Sequence, residues 1–248
     1  MAWFKREKVA RERLHVVSGA PAVELRQVSF SRAEKVIFDS LSLRLDERRI
    51  GIIGDNGSGK STLARLFNGL ILPDSGYVTI YGHESQKQQV LLPQLVGFLF
   101  QNPDHQILFP TVLEELSFGL TQLGDSQAVA DQKAKKCLLE QGKSDWADRP
   151  AQSLSEGEKQ RLCLWSVVLM GPKLLVLDET FASLDLRTRI QMMNELKLQK
   201  QQLIMVTHEL NLLSDFDRVI WLHHGQIKAD GDPLAVIAEY RHHAGVED

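Results

Sequence analysis

Between residues 23 and 45 the apolar positions alternate: Val23, Leu25, Val28 and Phe30, then Ile37, Leu41, Leu43 and Leu45. A period of two predicts antiparallel strands with one face on a core and the other in water. Ile50-Gly51-Ile52-Ile53 then reads as a short buried strand, and residues 61–70 follow at helical spacing. Pro73-Asp74-Ser75-Gly76 marks a turn, after which residues 77–81 alternate again. Residues 96–100 are a further apolar run.

The middle of the chain changes period. Thr111 with Glu114 three residues on is a capping-box pattern, which predicts a helix over residues 111–120, and a second is expected over 126–141. A helix from Ser155 should run to Met170, where Gly171-Pro172 stops it. Beyond it come a strand at 174–177, a helix near 186–200, a strand at 203–206, a helix near Asn211 and a strand at 219–222. Strands separated by helices predict a parallel sheet with helices on its faces. The expected class is therefore α/β, with an N-terminal antiparallel β subdomain and an inserted α-helical subdomain at about residues 104–165.

Composition narrows this little but usefully. The 248 residues are 43% hydrophobic and 25% charged, the mix of a globular chain that can bury a core without disulfides. A formal net charge of -3 gives no global electrostatic case for nucleic-acid binding, and no nucleic-acid partner is expected. The 2 cysteines, Cys137 and Cys163, are too few for a disulfide framework and read as core thiols in a reducing compartment. No run approaches the roughly 18 apolar residues of a membrane span, so membrane work would need a partner. Residues 1–22 form a basic tail ahead of the domain at 23–248. Trp3 and Phe4 precede Lys5, Arg6, Lys8, Arg11 and Arg13 there, so the tail is either simply solvated or in contact with an anionic lipid surface.

The chemistry begins at Gly54-Asp55-Asn56-Gly57-Ser58-Gly59-Lys60-Ser61, which fits the P-loop pattern between a strand and a helix. The glycines let backbone N–H groups converge on phosphate oxygens, and the helix that follows, with Thr62 in its first turn, points its positive end at the same anion. Lys60 supplies a point charge to the β- and γ-phosphates of ATP, and the Ser61 hydroxyl can ligate Mg²⁺. A run of aliphatic residues ends in Asp178-Glu179. Asp178 is placed to hold Mg²⁺ through water and Glu179 to act as general base on the attacking water. The core is thus expected to be a RecA-like P-loop NTPase.

Leu154-Ser155-Glu156-Gly157-Glu158-Lys159-Gln160-Arg161 lies one helix upstream of Asp178. With the P-loop, Gln101 after a strand, Asp178-Glu179, Ser183-Leu184-Asp185 and His208 after a strand, it makes the chain from about residue 23 onward resemble the ATP-binding subunit of an ABC transporter. The resemblance implies roles. Gln101 would touch Mg²⁺ and the attacking water, Ser155 and Gly157 would cap the γ-phosphate held by an opposite subunit, Asp185 would lie in the loop that crosses the dimer, and His208 would sense the γ-phosphate beside Glu179. Arg32 stands where the family usually stacks an aromatic residue on adenine, and Glu156 replaces a signature glycine.

Phe100-Gln101-Asn102-Pro103-Asp104-His105-Gln106 is similar to the corresponding run of energy-coupling factor ATPases, with His105 as the departure. That likeness implies an ATP-hydrolysing motor for uptake of a vitamin or a transition-metal ion. Its partners would be a polytopic membrane scaffold subunit, a substrate-binding membrane subunit and a second ATPase copy, identical or similar. It would sit peripherally on the cytoplasmic face of the inner (plasma) membrane, and Asp104, with Glu114 or Glu115, would dock the scaffold. The alternative is a non-transport ABC ATPase with a regulatory or DNA-maintenance role. DNA-maintenance heads carry long coiled coils between P-loop and signature, and no sustained heptads occur here. The pairs His223-His224 and His242-His243 invite a metal reading, but adjacent side chains alternate on a strand and diverge on a helix, so neither pair chelates alone.

Overall fold

The computed structural model describes residues 14–245. In chain order the elements are β1 (Val23–Arg32), β2 (Lys35–Leu45), β3 (Arg49–Ile53), α1 (Lys60–Phe67), β4 (Ser75–Ile80), β5 (His83–Glu84), α2 (Ser85–Gln88), β6 (Val96–Leu99), α3 (Val112–Gln122), α4 (Gln127–Glu140), α5 (Glu156–Leu169), β7 (Leu174–Asp178), α6 (Leu186–Leu198), β8 (Gln202–Val206), β9 (Arg218–His223), β10 (Gln226–Gly231) and α7 (Pro233–His243). Among the described residues the strands make two sheets, ordered β2-β1-β4-β5 and β10-β9-β3-β8-β7-β6.

The first sheet is antiparallel throughout. Its inward residues Val23, Leu25, Leu43, Leu45, Val78 and Ile80 are buried, as the alternating pattern requires. The hairpin between β1 and β2 turns at Ala33 and Glu34, both left-handed (φ 48 and 64). Such a turn usually carries Asn or Gly, so the strand break left no mark in the sequence.

In the second sheet β9, β3, β8, β7 and β6 run parallel, and β10 returns antiparallel at the edge. One face packs Ile50, Ile52, Val176, Ile204 and Ile220 against the antiparallel sheet and α1. The other packs Leu175, Leu177, Met205 and Trp221 against α5, α6 and α7. Both faces are covered, which is why these strands read as apolar runs rather than alternations. Helices α3, α4 and α5 share a core of their own around Val112, Leu116, Leu138, Trp146, Leu162 and Trp165. Thr111 and Glu114 make both capping-box bonds at the start of α3.

Three features differ from the sequence reading. The helix expected near Asn211 is a single 3-10 turn over Leu210–Leu213. Strand β10 and helix α7 were not anticipated, although Asp232 before Pro233 is a legible helix start and Asp232 does cap α7. Residues 14–22, assigned above to the tail, lie along the antiparallel sheet. Leu14 is buried, the Val17 N–H donates to the Tyr81 carbonyl (3.1 Å), and the His83 ring is 2.6 Å from the His15 carbonyl. The basic and aromatic positions named between 3 and 13 lie outside the described residues. Among those described, no helix is long and apolar enough to cross a membrane.

Candidate active site

Five parallel strands end at one edge, and each hands a candidate residue to it. Strand β3 runs into the P-loop, β7 ends at Asp178, β8 leads to His208, β6 leads to Gln101 and β9 ends at His223. Register does the aligning: Asp178 stands opposite Val206 and Leu99 opposite Leu177, so Gln101 and Glu179 follow matched positions on neighbouring strands. The carboxyl edge of a parallel sheet is where such folds bind ligands.

The P-loop is shaped by what it touches. A Cβ on Gly54, where φ is 146, would lie 2.0 Å from the Leu222 carbonyl oxygen, so no other residue fits. Gly59 is the left-handed N-cap of α1, pressed against Phe38 and Ile37, and provides no side-chain cap. The N–H groups of the first turn, which includes Ser61 and Thr62, are left for a ligand. Gly57 is left-handed and Asp55 and Asn56 are exposed, whereas the Ser58 hydroxyl is buried with no hydrogen-bond partner. That orphaned donor beside uncapped N–H groups fits the phosphate chain of a nucleotide.

Lys60 is buried, and its Nζ donates to the Gly54 (2.8 Å) and Asp55 (2.9 Å) carbonyls. Burial pushes its pKa down, against the attraction of Glu179, Asp55 and Asp178. Ser61 Oγ donates to Asp178 Oδ1 at 2.8 Å. Burial raises the Asp178 carboxyl above its ordinary value, and the Ser61 bond and Arg65 only partly offset this. A hydroxyl touching a carboxylate at the phosphate end of the loop fits a hard divalent cation such as Mg²⁺.

Glu179 sits in the left-handed region (φ 51), with its N–H on the Val206 carbonyl (3.0 Å) and Oε1 2.9 Å from His208 Nε2. Gln101 is exposed beside this pair of strands. Phe100, just before it, accepts a bond from Gln160 Nε2 of α5 (3.2 Å), and Asp104 pairs with Lys159 (2.7 Å). The Gln101 loop is therefore tied to the signature helix. Neither Gln160 nor Lys159 was singled out from the sequence.

Ser155, Gly157 and Asp185 meet elsewhere. With Glu156, Ser183 and Thr188 they line an open cleft of about 460 Å³, to which no P-loop residue contributes. Ser155 caps α5 in a box with Glu158, whose carboxylate also binds Arg149 at 3.2 and 3.3 Å. Burial pushes the Glu158 carboxyl up, but the Ser155 and Arg149 bonds outweigh it and leave it below the ordinary value. Asp185 caps α6 with both oxygens on Thr188 (3.0 and 2.7 Å), which lowers its pKa. Arg189 bonds the Leu184 carbonyl (3.0 Å) and pairs with Glu209 (2.7 Å), joining this loop to the residue after His208.

Arg32 lies exposed at the hairpin end of β1, opposite Lys35. Glu114 is committed to the α3 capping box. Glu115 is buried, and its Oε2 accepts the Leu108 (2.9 Å) and Phe109 (3.0 Å) N–H groups, so it cannot also serve as a docking charge. Burial raises its pKa, and those two bonds pull the other way.

Residues 38–182 match the family model described as ABC transporter. The chain is 43% identical over 219 residues to the biotin transport ATP-binding protein BioM of Rhodobacter capsulatus, covering 88% of this chain and 94% of that one. It is 36% identical over 223 residues to the energy-coupling factor transporter ATP-binding protein EcfA1 of Fusobacterium nucleatum, covering 88% and 84%. Among solved structures, cbiO1 of Clostridium perfringens, part of the ABC transporter complex cbiONQ, superposes with a TM-score of 0.77 at 27% identity, covering 92% of this chain and 94% of that one.

Proposed function

This chain belongs to the ABC transporter family, and from that premise we propose that it is the ATP-hydrolysing motor subunit of an energy-coupling-factor importer, driving uptake of a vitamin or a transition-metal ion through a membrane partner. The observation that carries the reading is the Glu179–His208 contact at 2.9 Å, set beside the Ser61–Asp178 bond on the same sheet edge. A chain that only bound nucleotide would have no use for a carboxylate held by a histidine next to the phosphate site.

The steps follow from the chain's own groups. The P-loop N–H groups and Lys60 hold the β- and γ-phosphates. Ser61 and Asp178 would hold Mg²⁺, which when bound neutralises charge on the phosphate oxygens. Glu179 Oε accepts the proton of the attacking water, and His208 keeps that carboxylate turned toward the γ-phosphate. Gln101, which follows the matched position on β6, would position the same water. Ser155 and Gly157 of a second copy cap the γ-phosphate, because within one chain their cleft holds no P-loop residue. A dimer, of two copies or with a similar ATPase, is thus the working unit, docked peripherally on the cytoplasmic side of a membrane scaffold.

The test is reconstitution. Full-length protein, co-purified from detergent extract with the polytopic subunit it retains, is placed in liposomes. Mg²⁺-dependent ATP hydrolysis coupled to cargo uptake is expected. Retention of no membrane protein, or hydrolysis without uptake, would overturn the importer reading.

A further inference from the structure

The two histidine pairs do not chelate alone, but one member of each meets the other. Trp221 and His223 project from the same face of β9, and Tyr240 and His243, one turn apart, face them from α7. Trp221 packs against Tyr240 and His243 with ring centroids 5.3 and 5.0 Å apart, and the His223 and His243 rings lie at 5.3 Å. A third ligand comes from β3, which pairs with β9 so that Ile53 stands opposite Trp221 and Asp55, two residues on, reaches His223. One ligand atom from each of Asp55, His223 and His243 lies within 4.8 Å of the others.

We propose that Asp55, His223 and His243 form a binding site for a borderline divalent transition metal, of the Zn²⁺, Co²⁺, Ni²⁺ class. His223 Nδ1 is buried yet has no hydrogen-bond partner. Its neighbour Asp55 Oδ2 is 3.4 Å away, too far for a good hydrogen bond. It is the spacing of two ligands on a tetrahedral ion whose bonds are roughly 2.0–2.2 Å. Asp55 Oδ1 is held by the Tyr240 hydroxyl (3.2 Å), which leaves Oδ2 turned to the histidine and provides the outer hydrogen bond that orients a metal-bound carboxylate. Two imidazoles and one carboxylate favour borderline ions over Mg²⁺, which prefers oxygen donors. The fourth position opens to solvent, since Asp55 and His243 are both exposed.

One group competes. Lys228 Nζ lies 3.1 Å from His243 Nδ1 and 4.1 Å above the Trp221 ring, so its charge opposes a bound cation unless it swings out. Lys228 is exposed and can do so. The site is separate from the Ser61–Asp178 pair, yet one of its ligands belongs to the P-loop. Occupancy would clamp α7 onto the nucleotide-binding loop.

The probe is Co²⁺ added to untagged, full-length, Mg²⁺-free protein, followed by visible absorption and calorimetry. One Co²⁺ per chain with the strong visible bands of four- or five-coordination is expected. Affinity should fall at least tenfold in His243→Ala and in Asp55→Asn. It should rise several-fold in Lys228→Met and stay unchanged in His242→Ala. His243 is exposed, so its variant also tests the site if His223→Ala impairs folding. Equal Co²⁺ affinity in wild type and His243→Ala, or only weak octahedral binding, would overturn the proposal.

Discussion

Ser61 Oγ on the first turn of α1 donates a 2.8 Å hydrogen bond to Asp178 Oδ1 at the end of β7, across 117 residues of sequence. Asp178 is 4% exposed, and this bond is one of the few compensations for burying its carboxylate. The fold thus keeps a costly acid at the phosphate end of the P-loop.

That cost is measurable. Burial raises the Asp178 pKa, so the folded state holds the proton more tightly than the unfolded chain does. Stability from this group is present at acid pH and is lost as pH rises from the unfolded value to the raised folded one. Asp178→Asn should therefore raise the melting temperature of the nucleotide-free protein at pH 7 by a few degrees, with the gain vanishing toward the unfolded carboxyl value, while hydrolysis collapses. A variant that melts lower than wild type at pH 7 would show that the Ser61 bond outweighs burial.

Glu179→Gln keeps the size of the side chain but removes the proton acceptor. Turnover should fall on the order of 10²–10⁴-fold. Size-exclusion chromatography with ATP should show a persistent dimer, whereas wild type returns to monomer as ATP is consumed. Unchanged turnover would remove Glu179 from the mechanism.

Glu156 is exposed in the cleft with Ser155 and Gly157, where a second copy's γ-phosphate would sit. Its charge opposes that approach, more so at low salt. Glu156→Gln should lower the ATP concentration needed for dimerisation several-fold at low ionic strength, as followed by light scattering. No change would mean the carboxylate points away in the dimer.

Of the three acids expected to dock a scaffold, Glu115 is buried and Glu114 is exposed but caps α3; the third is Asp104. Its side chain is 55% exposed despite the pair with Lys159. Asp104→Ala should cost at most about 1 kcal/mol of stability, yet lose the membrane subunit on co-purification. Glu115→Ala instead orphans the N–H groups of Leu108 and Phe109 and should cost about 2 kcal/mol or more. Denaturant titration alongside pull-down separates the two roles.

The P-loop, the β7 acids, the apolar strands and the capping box at Thr111 are legible in the order of residues alone, because each is a local pattern whose physics is complete within a few residues. A Gly-rich turn needs its glycines wherever it sits, and a strand buried on both faces must be apolar. Encounters between distant segments came from the way the chain packs. Local spacing argues against a chelate made by His223-His224 or His242-His243 alone, and it carries no sign that β9 lies beside β3 and beneath α7, which brings Asp55, His223 and His243 together. Nor could it separate Glu114 from Glu115. Both stand in the first turn of α3, but helix rotation leaves one at the cap and turns the other into the interior, onto the backbone of Leu108 and Phe109. The same limit placed Ser155 and Asp185 in one cleft and Lys60 outside it. Helix packing set that geometry, and side chains 30 residues apart carry no local trace of it.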